Sequence, residues 1–229
     1  MKAPGPNQPV CVYCGAQEGL TFDHVPPKLL LSKPYPKNLI TVPACGNCNR
    51  SFQSDDEYTR FVAANDFRAA DNCDLKLKLD AIRRSLERPN ARQFAGYLTA
   101  QFRPTRILSS AGSPMGREFE IDRKRVNATG SRIVRALFFV ETGDMIPPST
   151  NIRIAANVGI DHTDPGVLQF ARVYKLCKDH RARAIGSAFS YVAAFGPDFS
   201  IWLMMLYDCL VWMSTVPATQ GKGISSVAP

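Results

Sequence analysis

Hydrophobic and polar positions alternate or recur along the chain in a way that divides it into short strands first and helices later. Leu20-Thr21-Phe22 reads as a short strand leading into Asp23-His24, and the β-branched run Leu39-Ile40-Thr41-Val42 reads as its partner. Between them, Val25 to Lys37 carries Pro26, Pro27, Pro34 and Pro36, which predicts a stiff, extended loop. Ser54-Asp55-Asp56-Glu57 has the form of a capping box and predicts a helix from there toward Phe67, its acidic residues serving the helix N-terminus. Further helices are expected over 74–88 and 90–102, although Leu75 to Leu79 alternates like a strand. A longer helix is expected over 122–142, with Ile133, Val134, Leu137, Phe138 and Phe139 toward the core and Gly143 as its stop. Short extended segments are expected over 118–121 and 152–158, and a helix from Pro165 to Cys177. Residues 184–195, 200–207 and 210–216 read as three strands, the last two paired around Asp208-Cys209. The fold class expected is α+β. A small N-terminal module over 10–70 precedes an α+β domain over 71–216 with a small, mainly antiparallel sheet, between loose tails at 1–9 and 217–229.

Composition adds the redox setting and the charge. The 229 residues include seven cysteines, four of them in two Cys-x-x-Cys pairs, Cys11/Cys14 and Cys45/Cys48. An odd number with paired spacing points to metal binding in a reducing compartment, not to a disulfide framework. No apolar leader precedes the Pro-rich start, and the most apolar run, Ile201 to Met213, contains Asp208 and is too short to span a bilayer. A cytoplasmic protein without membrane segments is the reading. The net charge is +8, and only seven of the 28 basic residues precede residue 71, against six of the 20 acidic ones. A basic body beside a near-neutral module suits a polyanionic partner, as it also suits a protein that simply has a high pI.

Two cysteine pairs, each held by a tight turn, can close one tetrahedral zinc site, and four thiolates leave no open position for substrate. That makes Cys11, Cys14, Cys45 and Cys48 ligands of a structural Zn²⁺. A redox role for either pair would call for a surrounding βαβ pattern, which is missing. His24 is one of three histidines; His162 and His180 have no motif around them. At a strand end, His24 can take a proton from water near neutrality. Asp23 precedes it, and Asn49 follows Cys48, so the zinc pins an amide oxygen close to that strand. Carboxylate, amide oxygen and water form a ligand set for a hard cation such as Mg²⁺ or Mn²⁺. Taken singly, Asp23-His24 reads as a surface pair and Asn49 as a helix cap; it is the combination that points to chemistry. Asn38 is expected to bond backbone across the loop and to hold His24 in place.

The order Cys-x-x-Cys, Asp-His-x-x-Pro, Asn-Leu-Ile-x-Val-Pro-x-Cys-x-x-Cys-Asn, from Val10 to about Phe61, resembles the HNH endonuclease superfamily with its zinc-stapled ββα-metal fold. The Cys48-Asn49 adjacency is similar to that in phage junction-resolving endonucleases. The resemblance implies that His24 is the general base, that Asp23 and Asn49 hold the catalytic Mg²⁺ or Mn²⁺, and that Asn38 is the middle asparagine of the motif. The lysine often found shortly after the third motif position is missing, and Gln53 stands near there. Beyond residue 70, Arg132 to Leu137 and Ser200 to Trp202 resemble the C-terminal region of uncharacterised bacterial and phage HNH proteins.

The implied activity is metal-dependent hydrolysis of phosphodiester bonds in DNA, with RNA left open and a homodimer compatible with cuts on both strands. Lys28, Lys33, Lys37 and Arg50 are the residues nearest the site that could meet phosphates. Basic residues recur at Arg83, Arg84, Arg88 and Arg92, and again at Arg123, Lys124, Arg125, Arg132 and Arg135. Two other functions fit the same chain: a zinc-ribbon nucleic-acid-binding protein without catalysis, and a nuclease effector controlled by a ligand on residues 71–229. Trp202, Trp212, Phe189 and Tyr191 would line a pocket in the latter case, or fill a sheet core.

Overall fold

The computed structural model describes residues 9–66, 72–106, 115–158 and 179–217, together with positions 168, 172, 175 and 177. The helix expected from Pro165 to Cys177, and with it His162, lies outside the described residues apart from those single positions, as do both tails apart from Pro9 and Pro217. Within them the fold is α+β, with a five-stranded antiparallel sheet as its largest sheet.

The chain opens with a hairpin. Strand β1 (Leu20–Val25) pairs antiparallel with β2 (Ile40–Cys45), placing Asp23 opposite Val42 and His24 opposite Thr41. The Pro-rich connection contains one 3-10 turn at Lys28–Leu30. Two helices follow almost without a break, α1 (Gly46–Ser51) and α2 (Gln53–Ala64). The helical region therefore begins eight residues before the Ser54 box. The reason is Cys45, whose sulfur accepts the Cys48 N–H and caps α1, a role usually played by an oxygen. Asn49 consequently sits inside α1 and caps nothing.

Helices α3 (Cys73–Leu86) and α4 (Arg92–Ala100) follow, α3 capped by the Asn72 side chain. A small hairpin comes next, β3 (Phe102–Arg106) with β4 (Met115–Phe119). The long helix α5 (Arg123–Thr142) starts at Asp122, whose carboxylate accepts the Lys124 and Arg125 N–H groups, and stops at Gly143 in the left-handed conformation. Strands β5 (Arg153–Val158), β6 (Asp179–Ile185), β7 (Phe189–Phe195), β8 (Phe199–Leu206) and β9 (Leu210–Pro217) form the large sheet in the order β5-β9-β8-β7-β6. The run 184–195 is thus the end of β6, a turn at Gly186 and β7, while β8 and β9 pair as expected.

Helix α5 lies on one face of this sheet, against Trp202 and Trp212, both fully buried. The approach is close. A Cβ on Gly130 would stand 2.4 Å from Trp212 Cδ1, and the Trp212 indole N–H donates to the Val126 carbonyl at 3.0 Å. On its other side α5 meets α2, where Thr59 and Thr129 share a buried hydrogen bond at 3.0 Å. The larger of two buried apolar clusters among the described residues runs from Cys11, Val12 and Tyr13 through Tyr58 and Phe61 to Leu137, Trp202 and Trp212. Helix α5 is therefore a wall shared by the N-terminal module and the sheet. No helix among the described residues is long and apolar enough to cross a membrane.

Candidate functional site

The four paired cysteines converge. Their sulfurs all lie within 4.8 Å of one another, with Cys14 and Cys45 3.7 Å apart. A tetrahedral Zn²⁺ with Zn–S of about 2.3 Å has sulfur–sulfur edges of roughly 3.8 Å, so the group could hold a metal such as zinc. The local backbone explains the convergence. Gly15, at φ +78°, returns its N–H to the Cys11 carbonyl, and the Cys11 N–H bonds to Ala16. The Cys48 N–H lowers the Cys45 thiol to about 7, while burial and neighbouring sulfurs push Cys48 up. Four thiolates this close repel unless a divalent ion lies among them.

Beside this group lies an open pocket of about 420 Å³. Thr21, Asp23 and His24 of β1 form one side, Gly46, Asn49 and Arg50 of α1 another, and Gln53 and Asp56 of α2 a third. Pro27, Lys28 and Leu29 of the connecting loop and Arg132 of α5 complete it. His24, Asp23 and Asn49 are thus brought to one cavity.

Their environments differ sharply. His24 is half-buried; burial, reinforced by the Lys28 ammonium, lowers its pKa below the ordinary histidine value against a smaller pull from Asp23. It is neutral at pH 7. The Asn49 amide N–H donates to Thr21 Oγ1 at 3.4 Å, and Thr21 in turn donates to the Ala44 carbonyl at 2.9 Å. That leaves the Asn49 amide oxygen without a role in this network.

Asp23, by contrast, is only 3% exposed and heavily engaged. Its Oδ2 accepts from the Tyr13 hydroxyl at 2.6 Å and from Arg132 Nε at 2.9 Å, and its Oδ1 accepts from Arg132 Nη2. Arg132 also donates through Nη1 to Asp56 Oδ2, and Thr129 donates to Asp56 Oδ1 at 3.4 Å. The guanidinium lies over the Phe52 ring, 4.7 Å from its centroid, and Tyr13 meets Phe52 edge-on at 5.0 Å. Two carboxylates share one guanidinium. Burial therefore pushes the Asp56 carboxyl up to about 6, with Asp23 adding to the shift and Arg132 opposing it. Tyr13, buried beside Asp23, is held well above the usual phenol value.

Several expected roles need correction. Asn38 does not bond across its own loop; its amide donates to the Ala184 carbonyl on β6 at 2.7 Å. It ties the loop to the large sheet, because Gly186 of that hairpin packs against Pro36. Asp55, Asp56 and Glu57 do not serve a free helix end, since α1 runs straight into α2. They pair with Arg125, Arg132 and Arg60 instead. The basic run on α5 is mostly consumed internally: Arg123 bonds the Ala156 carbonyl, Arg135 bonds the carbonyls of Ile146, Pro147 and Thr150, and Arg125 lies over Tyr58 and Tyr97. Arg83, Arg84, Arg88 and Arg92 remain exposed. So do Lys28, Lys33, Lys37 and Arg50, of which Lys28 and Arg50 border the pocket while Lys28 and Lys33 lie over Tyr35.

Trp202, Trp212, Phe189 and Tyr191 are all core. Tyr191 donates to Glu141 at 2.5 Å and borders an open apolar pocket of about 390 Å³ on the outer face of the sheet, with Val192, Leu203, Met205 and Val211. Tyr13, Asp56 and Arg132 are the site residues that sequence reasoning missed. Tyr13 carried one signal, an aromatic inside a cysteine knuckle. Arg132 carried another: with Arg125, Thr129 and Ala136 it falls on a single helical face that also holds apolar residues.

No protein-family model matches the chain, and no curated protein or solved structure matches it either.

Proposed function

We propose that the protein is a metal-dependent endonuclease of HNH type, hydrolysing phosphodiester bonds in DNA at the pocket beside the cysteine group. The observation that carries this reading is the meeting of His24, Asp23 and Asn49 around one open cavity between a β-hairpin and the helix that follows it. The finer fold assignment, a zinc-stapled ββα-metal module, belongs to the same proposal.

The residues fit a hard cation by their donor chemistry. An ionised carboxylate has about four lone-pair positions, and three of those on Asp23 are filled, two on Oδ2 and one on Oδ1. One position on Oδ1 remains. Asn49 lines the same pocket and carries an amide oxygen. Asp23 and Asn49 would hold Mg²⁺ or Mn²⁺ together with water and phosphate oxygens. When bound, the ion supplies positive charge to the phosphate and the leaving 3′-oxygen.

The chain itself does the rest. A neutral imidazole nitrogen of His24 accepts a proton from the water that attacks phosphorus, and the lowered pKa keeps that nitrogen free at pH 7. Lys28 and Arg50 at the rim hold the phosphate backbone without reading sequence. The cysteine group, with Zn²⁺, sets α1 and hence Asn49. The test is cleavage of supercoiled plasmid with Mg²⁺, Mn²⁺ or EDTA, run beside His24→Ala. Metal-dependent nicking or linearisation that disappears in the variant supports the reading. Equal cutting by the two proteins, or none by a folded, zinc-loaded wild type on duplex, branched and single-stranded DNA, refutes it.

A further inference from the structure

We infer that Arg132 and Tyr13 are positioning residues for the catalytic cation, acting through Asp23, so that helix α5 completes a metal site whose ligands lie in the N-terminal module. This inference rests on the nuclease reading above.

The argument starts from the acceptor positions on Asp23. A carboxylate on a strand turns freely about its last bond unless its oxygens are held. Here Arg132 presents Nε and Nη2 as a fork to the two oxygens, and Tyr13 adds a third donor on Oδ2. The carboxylate plane is thereby fixed, with Oδ1 left as the oxygen that can take a metal. Donors of this kind behind a ligand raise its precision, and their loss typically weakens metal binding about 10–100-fold.

The support behind Arg132 and Tyr13 is itself built. Phe52 lies under the guanidinium and against the Tyr13 ring. Asp56 takes the remaining edge of the guanidinium, and Thr129 steadies Asp56. Arg132 and Asp23 are each about 5% exposed at the side chain or less, so no solvent competes for the fork. A lysine could supply the charge but not two donors spaced for one carboxylate and a third for another. An ion pair serving stability alone would need neither the Tyr13 donor nor a wall of the pocket, yet Asp23, Asp56 and Arg132 all line it.

The experiment is Mn²⁺ titration of the full-length, zinc-loaded chain, followed by the free-ion electron paramagnetic resonance signal. Wild type, Asn49→Ala, Tyr13→Phe and Arg132→Lys are compared, with zinc content and circular dichroism recorded for each. The expected result is a wild-type site lost in Asn49→Ala. That site weakens about 10-fold in Tyr13→Phe and about 10–100-fold in Arg132→Lys, with zinc and spectrum unchanged. Wild-type affinity in both folded variants overturns the inference while leaving the nuclease reading in place. Should Arg132→Lys fail to fold, Tyr13→Phe decides alone, and unchanged affinity there overturns it. A wild type that neither binds Mn²⁺ through Asn49 nor cuts DNA brings down the nuclease reading, and this inference with it.

Discussion

The hydroxyl of Tyr13 donates to Asp23 at 2.6 Å, and Tyr13 stands between Cys11 and Cys14. The turn that gathers two sulfurs therefore also places a hydrogen-bond donor on the buried carboxylate of β1. On the far side of the same cysteine group, Cys45 caps α1 and Cys48 precedes Asn49. The geometry of the cysteine group and that of the pocket are coupled through both knuckles.

Removal of zinc is expected to unfold the N-terminal module and not merely to loosen it. Structural zinc contributes on the order of 10 kcal/mol in small fingers. Cys45→Ala should lose the metal, the far-ultraviolet signal of α1 and α2, and DNA cleavage together. The check is zinc content, about one ion per chain in wild type, against circular dichroism and cutting.

His24→Ala should lower the cleavage rate by about 10²–10⁴ while zinc content and melting temperature stay at wild-type values. The pH profile gives a second check. Because the His24 pKa is lowered in the folded chain, the rate should begin to fall at a lower pH than it would for a histidine base of ordinary pKa. A base of ordinary pKa would be half-protonated at about pH 6.5. The same shift makes a small stability contribution present above pH 6.5 and lost as pH falls through the folded value.

Asp56 runs the other way. Its carboxyl is raised to about 6, so the folded chain holds that proton more tightly than the unfolded one does. The associated stability is fully present below the ordinary aspartate value and is lost as pH rises through about 6. Relative to wild type, Asp56→Asn should gain stability between pH 4 and pH 7.5, read from urea midpoints at the two ends.

How far the chain was legible follows from sequence distance. The convergence of the cysteine pairs, and the meeting of Asp23, His24 and Asn49 at one pocket, are legible because all of these residues lie within fifty positions and the turns between the paired cysteines are short. The β8–β9 hairpin and the stop at Gly143 are local for the same reason. Arg132 was hidden because its partners lie 109 and 76 residues away, and only the packing of α5 on α2 brings them together. The start of α1 was missed because a sulfur, not an oxygen, caps it.

Gly130→Ala tests that packing. The new methyl would fall 2.4 Å from Trp212 Cδ1 and 2.7 Å from Ile154 Cδ1, and Trp212 is held by its bond to Val126. Overpacking of this kind costs about 1–3 kcal/mol. A lower melting temperature with unchanged zinc content is expected, and a melting temperature at or above wild type would mean that α5 does not approach the sheet this closely.

Arg132→Met should be costlier, by about 3–5 kcal/mol, because Asp23 and Asp56 are left as buried carboxylates without a counter-charge. Adding Asp56→Asn should recover part of that loss. Chemical denaturation of the single and double variants measures both.

The ion pair between Asp23 and Arg132 spans 109 residues of chain. During synthesis the N-terminal part emerges first. The hairpin, the cysteine group and His24 can all leave the ribosome before the guanidinium that neutralises Asp23 has been made. A nascent chain that ends between Asp56 and α5 carries both carboxylates without the guanidinium that they share in the complete fold. The order of translation therefore separates assembly of the cysteine knuckles from completion of the charge balance around Asp23.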